Sequence, residues 1–186
     1  NNPMQSFSDE ELMLNVRTGD FLSFDQLVLR HHAWVWKLAF RYLGDADEAA
    51  DVVQDAFVRL LEASRRYRPT AKFRTYFYRI ITRLCLDRAK KKKPIYMKEP
   101  PEIPDGSPSV ADAISRQETA LVVRGALDAL APRERMAIVL RYYEGLKYEE
   151  IASALETTPK AVERLLARGR DRLRSLLGSR ENFFIS

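Results

Sequence analysis

One stretch of the chain, residues 65–93, combines a dense positive charge with aromatic side chains. It holds twelve basic residues and one acidic residue, a net charge of +11, whereas the whole chain carries only +5. Guanidinium and ammonium groups bind phosphates, and exposed rings stack on unpaired bases. The pattern predicts binding of a nucleic acid with exposed bases; the alternative is a solvated basic helix whose rings face the core.

Within this stretch a helix is predicted from about Phe73 to Lys92, after a short loop that Pro69 imposes. Its buried side comprises five apolar residues: Phe73, Phe77, Ile80, Ile81 and Leu84. A second stripe, about 120° away, carries a ring and three cations at spacings of four, three and four residues: Lys72, Tyr76, Arg79 and Arg83. The basic stripe is therefore separate from the core stripe.

Residues that could perform catalysis are scarce. His31 and His32 are adjacent, so on a helix they point about 100° apart and cannot jointly grip a metal ion. The sequence contains no glycine-rich phosphate loop and no nucleophile motif. Cys85 is the single cysteine, which excludes an internal disulfide and a zinc site built on cysteine pairs. We expect a protein that is not an enzyme, with no catalytic residue, metal or cofactor.

The chain also lacks the patterns of membrane and secreted proteins. No run approaches the roughly 18 apolar residues of a membrane span, and the first residues lack the basic-then-apolar order of a secretory signal. We expect a cytoplasmic location without direct membrane insertion.

The elements that must position the basic stretch are helices, because almost every periodic segment repeats apolar residues at helical spacing. Ser8 is predicted to cap a first helix, followed by a helix from Ser23 to about Leu43 and one that begins after Asp45 and runs to about Arg65. Trp34 and Trp36 either pack in this bundle or contact a partner. We predict an all-α fold.

A proline-rich linker is predicted to divide the chain into two small helical domains. Residues 94–113 contain five prolines, which resist helix and sheet. The linker is either a passive tether or an extended ligand for a cleft. The predicted domains are residues 8–93 and residues 114–178.

The second domain contains the pattern of a helix-turn-helix. A helix starting at Pro132 is followed by a short helix at about Tyr148–Leu155, a turn at residues 156–158 and a longer helix opened by Pro159. Six apolar residues of the longer helix are predicted to face inward: Val162, Leu165, Leu166, Leu173, Leu176 and Leu177. Three cations lie opposite, as candidates for reaching the major groove: Lys160, Arg164 and Arg168. A helical hairpin with an arginine-rich exterior is the alternative.

The third predicted helix carries polar residues outside its apolar stripe, among them Asp51, Gln54, Asp55 and Glu62. Between Asp9 and Ser64 there are eleven acidic and five basic residues, a net charge of −6. Such a surface would repel DNA, so either it is an ordinary solvated face or its partner is a protein with basic groups.

Three separated segments resemble the extracytoplasmic-function (ECF) sigma factors of the sigma-70 family. They are DVVQDAFVRLLE at residues 51–62, FRTYFYRI at residues 73–80 and ALDALAPRERMAIVLRYYEGLKYEEIASAL at residues 126–155. The resemblance extends from about Phe21 to Leu177. It implies that the first domain is sigma region 2 and the second is sigma region 4, both serving promoter-specific initiation of transcription.

The resemblance also implies partners and contact residues. Region 2 would bind the clamp helices of core RNA polymerase through Asp51, Gln54, Asp55 and Arg59. It would bind the melted −10 promoter element through Arg65, Arg68, Lys72, Arg74, Tyr76, Arg79 and Arg83. Region 4 would bind the polymerase flap and the −35 duplex, the latter through Thr158, Lys160, Arg164 and Arg168. An anti-sigma factor would control the protein, and apolar side chains such as Phe57 could serve that contact.

Several positions depart from the pattern of the family. Tyr76 stands where tryptophan is frequent, and Arg83 where asparagine is frequent. Glu156 replaces the usual glycine of the turn, and residues 163–165 read Glu-Arg-Leu where Lys-Ser-Arg is common. The rival interpretation is a stand-alone helix-turn-helix regulator that binds duplex DNA as a dimer.

Overall fold

The computed structural model describes residues 7–91 and 120–178, and these residues form eight helices and no β-strand. The helices are α1 (Asp9–Arg17), α2 (Phe21–Leu43), α3 (Ala46–Ser64), α4 (Phe73–Lys91), α5 (120–128), α6 (Pro132–Tyr142), α7 (Tyr148–Ala154) and α8 (Pro159–Leu177). The predicted all-α fold is confirmed. None of these helices is long and apolar enough to cross a membrane.

We call residues 7–91 the N-terminal half and residues 120–178 the C-terminal half. The predicted linker 94–113, Lys92 and Lys93, and the predicted start of the second domain at residue 114 lie outside the described residues. The division into domains at 8–93 and 114–178 stays a prediction.

Local signals in the sequence set where the first helices begin. Ser8 and Glu11 form a reciprocal cap on α1, in which each side chain accepts a hydrogen bond from the backbone of the other, at 3.2 Å and 2.7 Å. Asp20 caps α2 by accepting from the amides of Leu22 and Ser23. Because Asp20 is the cap, α2 begins at Phe21, two residues before the predicted start.

The core of the N-terminal half is rich in aromatic rings. Phe77 is fully buried, and its ring centroid lies 5.4 Å from Phe57, 5.5 Å from Phe73 and 5.8 Å from Trp34. The predicted packing of both tryptophans is confirmed, since Trp34 and Trp36 are partly buried against the core. These contacts fix the face that α4 turns towards the bundle.

The C-terminal half contains the predicted helix-turn-helix. Glu156, between α7 and α8, adopts a left-handed backbone with φ of 50°, so the turn keeps this geometry without the usual glycine. Thr158 caps α8 by accepting from the amide of Ala161 at 3.2 Å. Gly169 allows a close helix crossing, because a Cβ there would lie 3.0 Å from Cγ1 of Ile138 on α6. The prediction that Leu176 faces inward was wrong: its side chain, in the last turn, is 50% exposed.

The two halves pack against each other, with α4 against α6 and α7 and with α2 against α6. The C-terminus of α2 is held by the other half: Arg124 donates to the carbonyls of Arg41 and Tyr42, at 2.9 Å and 3.2 Å. Gly44 lies in this contact, because a Cβ there would collide with the Arg124 guanidinium. We call this packing the closed arrangement.

Candidate nucleic-acid interface

The loop between α3 and α4 is anchored at both of its ends. Tyr67 is buried and its ring meets that of Tyr76 edge-on at 5.4 Å. Glu10 accepts a hydrogen bond from the amide of Phe73 at 2.6 Å and so caps the start of α4. Burial raises the pKa of Tyr67 to about 12, so its hydroxyl stays protonated at neutral pH. The anchored ends hold the loop in a defined position beside α4.

A small cavity of about 50 Å³ separates this loop from α4. Its lining combines rings, cations and small polar groups: Tyr67, Arg68, Thr70, Ala71, Thr75, Tyr76 and Arg79, together with Ser153 of α7. Three of the predicted single-strand residues, Arg68, Tyr76 and Arg79, are therefore brought together around one cavity. An aromatic ring next to guanidinium groups can stack on a base and hold its phosphate.

The other residues predicted to bind the −10 element lie at the end of α3, in the loop before α4 and along α4. Arg65, Lys72 and Arg83 are exposed. Arg74 is half-exposed, and its guanidinium lies 4.8 Å from the centre of the Trp34 ring. Arg79 donates to Glu156 of the C-terminal half at 2.9 Å. Two of these predicted DNA contacts, Arg74 and Arg79, therefore face the C-terminal half in the closed arrangement.

On α8, the residues predicted to read duplex DNA lie together on the outer surface. Thr158, Lys160, Arg164 and Arg168 are all exposed. Thr158 also caps the helix, so a substitution there would change α8 as well as any DNA contact. Arg168 donates to Glu134 of α6 at 2.8 Å, which ties its guanidinium back to the helix behind. Lys160 and Arg164, in the first two turns, have no ion pair with a described residue.

The predicted polymerase-binding residues lie along α3 and are exposed: Asp51, Gln54, Asp55 and Arg59. Arg88 of α4 crosses this surface and pairs with Glu48, Asp51 and Asp55, at 3.0 Å, 3.4 Å and 2.7 Å. The acidic surface is therefore partly neutralised within the chain, which the sequence analysis missed because the partner comes from a different helix.

An apolar groove of about 360 Å³ runs beside this acidic surface, between α2 and α3. Its lining includes Phe24, Val28, Val53, Gln54, Phe57 and Val58. Phe57 was expected to offer an exposed side chain, but it is 7% exposed and forms part of the core. Val58, at 51%, is an exposed apolar residue of the groove.

The structure contains contacts that the sequence analysis did not predict. Tyr78 and Thr82 are buried on the side of α4 that faces the C-terminal half. The Tyr78 hydroxyl donates to Glu144 at 2.9 Å, and Thr82 Oγ1 donates to the Ala154 carbonyl at 2.8 Å. Among the described residues, no group of three or more metal-ligating side chains is close enough to hold a metal ion.

Comparison with known proteins identifies both halves. Residues 27–95 match the family described as Sigma-70 region 2, and residues 120–173 match Sigma-70, region 4. The chain is 34% identical to the ECF RNA polymerase sigma factor SigM of Mycobacterium tuberculosis over 92% of this chain and 85% of that protein. It is 30% identical to the RNA polymerase sigma-H factor of Pseudomonas aeruginosa, over 88% and 90% of the two chains.

Other relatives agree with this assignment. The ECF RNA polymerase sigma factor SigE of Mycolicibacterium smegmatis is 34% identical over 83% of this chain, but the match spans only 62% of that protein. Among solved structures, CnrH in complex with the cytosolic domain of CnrY superposes with a TM-score of 0.69 and 29% identity, covering 91% of this chain and 96% of that one. The chain therefore belongs to the extracytoplasmic-function sigma factors of the sigma-70 family.

Proposed function

We propose that this sigma factor divides promoter recognition between its halves: region 4 binds the −35 duplex and region 2 holds the melted −10 element. One observation carries the proposal. The groups that line the small cavity beside α4 include a ring and guanidinium groups, the kind that stack on an unstacked base and hold its phosphate, whereas α8 presents cations suited to a major groove. The chain supplies binding and orientation, and the polymerase supplies the chemistry.

Core RNA polymerase is the protein partner that the surface of α3 fits. Asp51 and Asp55 offer carboxylates beside the apolar groove, so a basic and apolar helix could contact both. The polymerase clamp helices are our proposed occupant, and the flap would contact region 4. An anti-sigma factor is a second proposed partner of the chain, and the solved relative CnrH is in complex with the cytosolic domain of CnrY.

A stand-alone regulator that binds duplex DNA as a dimer is not favoured. That interpretation leaves region 2 without a role. Region 2, however, makes up the larger part of the described chain and matches a family model of its own. The sigma interpretation uses both halves.

Transcription from a randomised DNA library tests the proposal. Core polymerase and the full chain are incubated with templates whose upstream sequence is randomised, and the RNA products are sequenced. We expect transcripts only with both proteins, from templates sharing two motifs at a fixed spacing. Specific duplex binding by the chain alone as a dimer, without such transcripts, would overturn the proposal.

Charge reversal tests the polymerase-binding surface. The double substitution Asp51→Lys and Asp55→Lys should weaken binding to core polymerase at least tenfold in a pull-down, because two carboxylates become cations. Glu62→Lys, an exposed residue further along α3, is the matched control and should bind normally. Circular dichroism checks that each variant remains folded. Unchanged binding by the double variant would exclude this surface.

A further inference from the structure

Glu144 lies just after α6 in region 4, and its side chain is only 7% exposed. Three side chains of region 2 converge on its carboxylate. The Tyr78 hydroxyl donates at 2.9 Å, Arg41 Nη1 donates at 3.2 Å, and Arg74 Nη2 lies 3.8 Å away. A carboxylate withdrawn from water needs such cations and donors around it. We call Arg41, Arg74 and Tyr78 the anion site.

Contacts within region 2 hold two members of the anion site independently of Glu144. The guanidinium of Arg74 lies over the ring of Trp34, and its Nε donates to the Tyr78 hydroxyl at 3.3 Å. Burial raises the pKa of Tyr78, and the charge of Glu144 adds to the effect, so the hydroxyl keeps its proton and can donate. Arg74 and Tyr78 are thus positioned within region 2 itself, whereas Arg41, on α2, contacts Glu144 and the ring of Tyr143, both in region 4.

The closed arrangement is incompatible with binding both promoter elements at once. Elements named −10 and −35 are about 25 base pairs apart, or about 85 Å at 3.4 Å per pair. In the closed chain, region 4 instead touches α4: Arg79 pairs with Glu156 at 2.9 Å, and Ser153 closes one side of the cavity. Region 4 must leave α4 before both elements are bound.

Opening would remove Glu144 from between two guanidinium groups. Arg41 and Arg74 would then lie beside a Tyr78 hydroxyl whose proton has lost its acceptor, an arrangement that favours a new anion. Arg74 belongs to the helix with the predicted single-strand contacts, and the guanidinium fork matches phosphate oxygens. The nearest source of an anion on an opened promoter is the backbone of the melted strand.

We propose that Arg41, Arg74 and Tyr78 bind a backbone phosphate of the melted strand, and that Glu144 fills this site as a phosphate mimic in the closed chain. Region 4 thereby inhibits region 2 within the same molecule. The inference rests on the proposed function, and it adds Arg41 and Tyr78 to the residues that contact DNA.

Opposite effects of substitutions on the two sides of the contact test this inference. The probe is a fluorescent single-stranded 15-mer carrying the non-template −10 sequence selected from the library, and its affinity for the full chain is measured by anisotropy. Glu144→Gln should tighten binding about fivefold or more, because the competing carboxylate is lost. The control Glu149→Gln, an exposed carboxylate on α7, should change affinity less than about twofold.

Substitutions of the anion site are then made in the Glu144→Gln background. Arg41→Gln should weaken binding about fivefold and reduce the slope of log affinity against log salt by about 0.7, as expected for one lost phosphate contact. Tyr78→Phe should also weaken binding. Small-angle scattering should give a larger radius of gyration for Glu144→Gln than for the unsubstituted chain.

Each result has a distinct meaning. Equal affinities of the unsubstituted chain and Glu144→Gln would overturn the inhibition by region 4. Unchanged binding on Arg41→Gln and Tyr78→Phe would overturn the phosphate site. Either result alongside normal promoter-specific transcription would leave the proposed function intact, whereas absence of such transcription from every form of the chain would overturn both.

Discussion

The two proposed DNA-binding surfaces differ in the residues that cover them. On α8, Lys160 and Arg164 are exposed, with no ion pair to a described residue. On α4, Arg74 and Arg79 pair with Glu144 and Glu156 of the other half, and Ser153 borders the cavity. The surface proposed for duplex DNA is thus exposed in the closed chain, whereas the surface proposed for unpaired DNA is partly covered.

This difference matches the order in which the two kinds of DNA become available. Duplex DNA is present from the start, whereas unpaired bases exist only after the promoter opens. The proposed cover on α4 would reduce binding to unrelated single strands before that point. Substitutions that affect one half at a time test this difference between the two surfaces.

Removing a core ring of region 2 should have the largest effect. Phe77→Ala deletes a fully buried ring that contacts four others, and should lower the free energy of unfolding by about 3–5 kcal/mol. Urea denaturation followed by tryptophan fluorescence reports on this half, since both tryptophans lie in α2. Val58→Ala, an exposed control on α3, should change stability by less than about 0.5 kcal/mol. A similarly small loss for Phe77→Ala would contradict the packing described above.

Arg164→Ala should weaken binding to duplex DNA only. Loss of a base contact from the first turns of α8 should cost about 1–3 kcal/mol in binding to a −35 duplex and leave single-strand binding unchanged. Arg172→Ala, an exposed arginine further along the same helix, is the matched control. Gel-shift assays with both kinds of DNA check the result. Equal losses for the two variants would indicate general charge attraction instead of a positioned contact.

Tyr76→Ala should weaken binding to single-stranded DNA only. The ring is half-buried against Tyr67, so we expect a loss of about 1 kcal/mol, at the lower end of the range for stacking on one base. Tyr76→Phe retains the ring and should bind the −10 single strand almost normally in the anisotropy assay. If Tyr76→Phe loses as much affinity for the single strand as Tyr76→Ala, the hydroxyl and not the ring makes the contact.

The smallest expected effect is a loss of stability at acidic pH that originates at His31 in region 2. Burial lowers the pKa of His31, although Asp9 at 2.9 Å opposes the shift. The folded chain therefore takes up this proton less readily than the unfolded chain, so stability falls as the pH drops below about 6.5. His31→Gln should reduce the difference in melting temperature between pH 7.5 and pH 5, and the exposed neighbour variant His32→Gln should not. Equal pH dependence of all three forms would exclude His31 as the source.

Much of the fold could be predicted because its signals are local. Ser8, Gly44 and Pro132 mark helix ends within a few residues of the groups they contact, and the helix-turn-helix follows from the spacing of its two short elements. The turn at Glu156 kept its left-handed geometry because two helices fix it from either side.

The closed arrangement could not be predicted, because its contacts join residues far apart in the sequence. Tyr78 and Glu144 are separated by 66 positions, and Thr82 and Ala154 by 72. Nothing in the local pattern distinguishes Tyr78 from an ordinary core ring or Glu144 from a solvated carboxylate. The contribution of each predicted site residue to DNA or polymerase binding stays a prediction.

Permanganate footprinting, which detects unpaired thymines, tests the division of labour most directly. It is applied to a promoter selected from the randomised library, with core polymerase and the chain added separately and together. Reactive thymines are expected in the −10 element, and only when both proteins are present. Absence of reactive thymines with both proteins, or tight and specific protection of the duplex by the chain alone as a dimer, would contradict it.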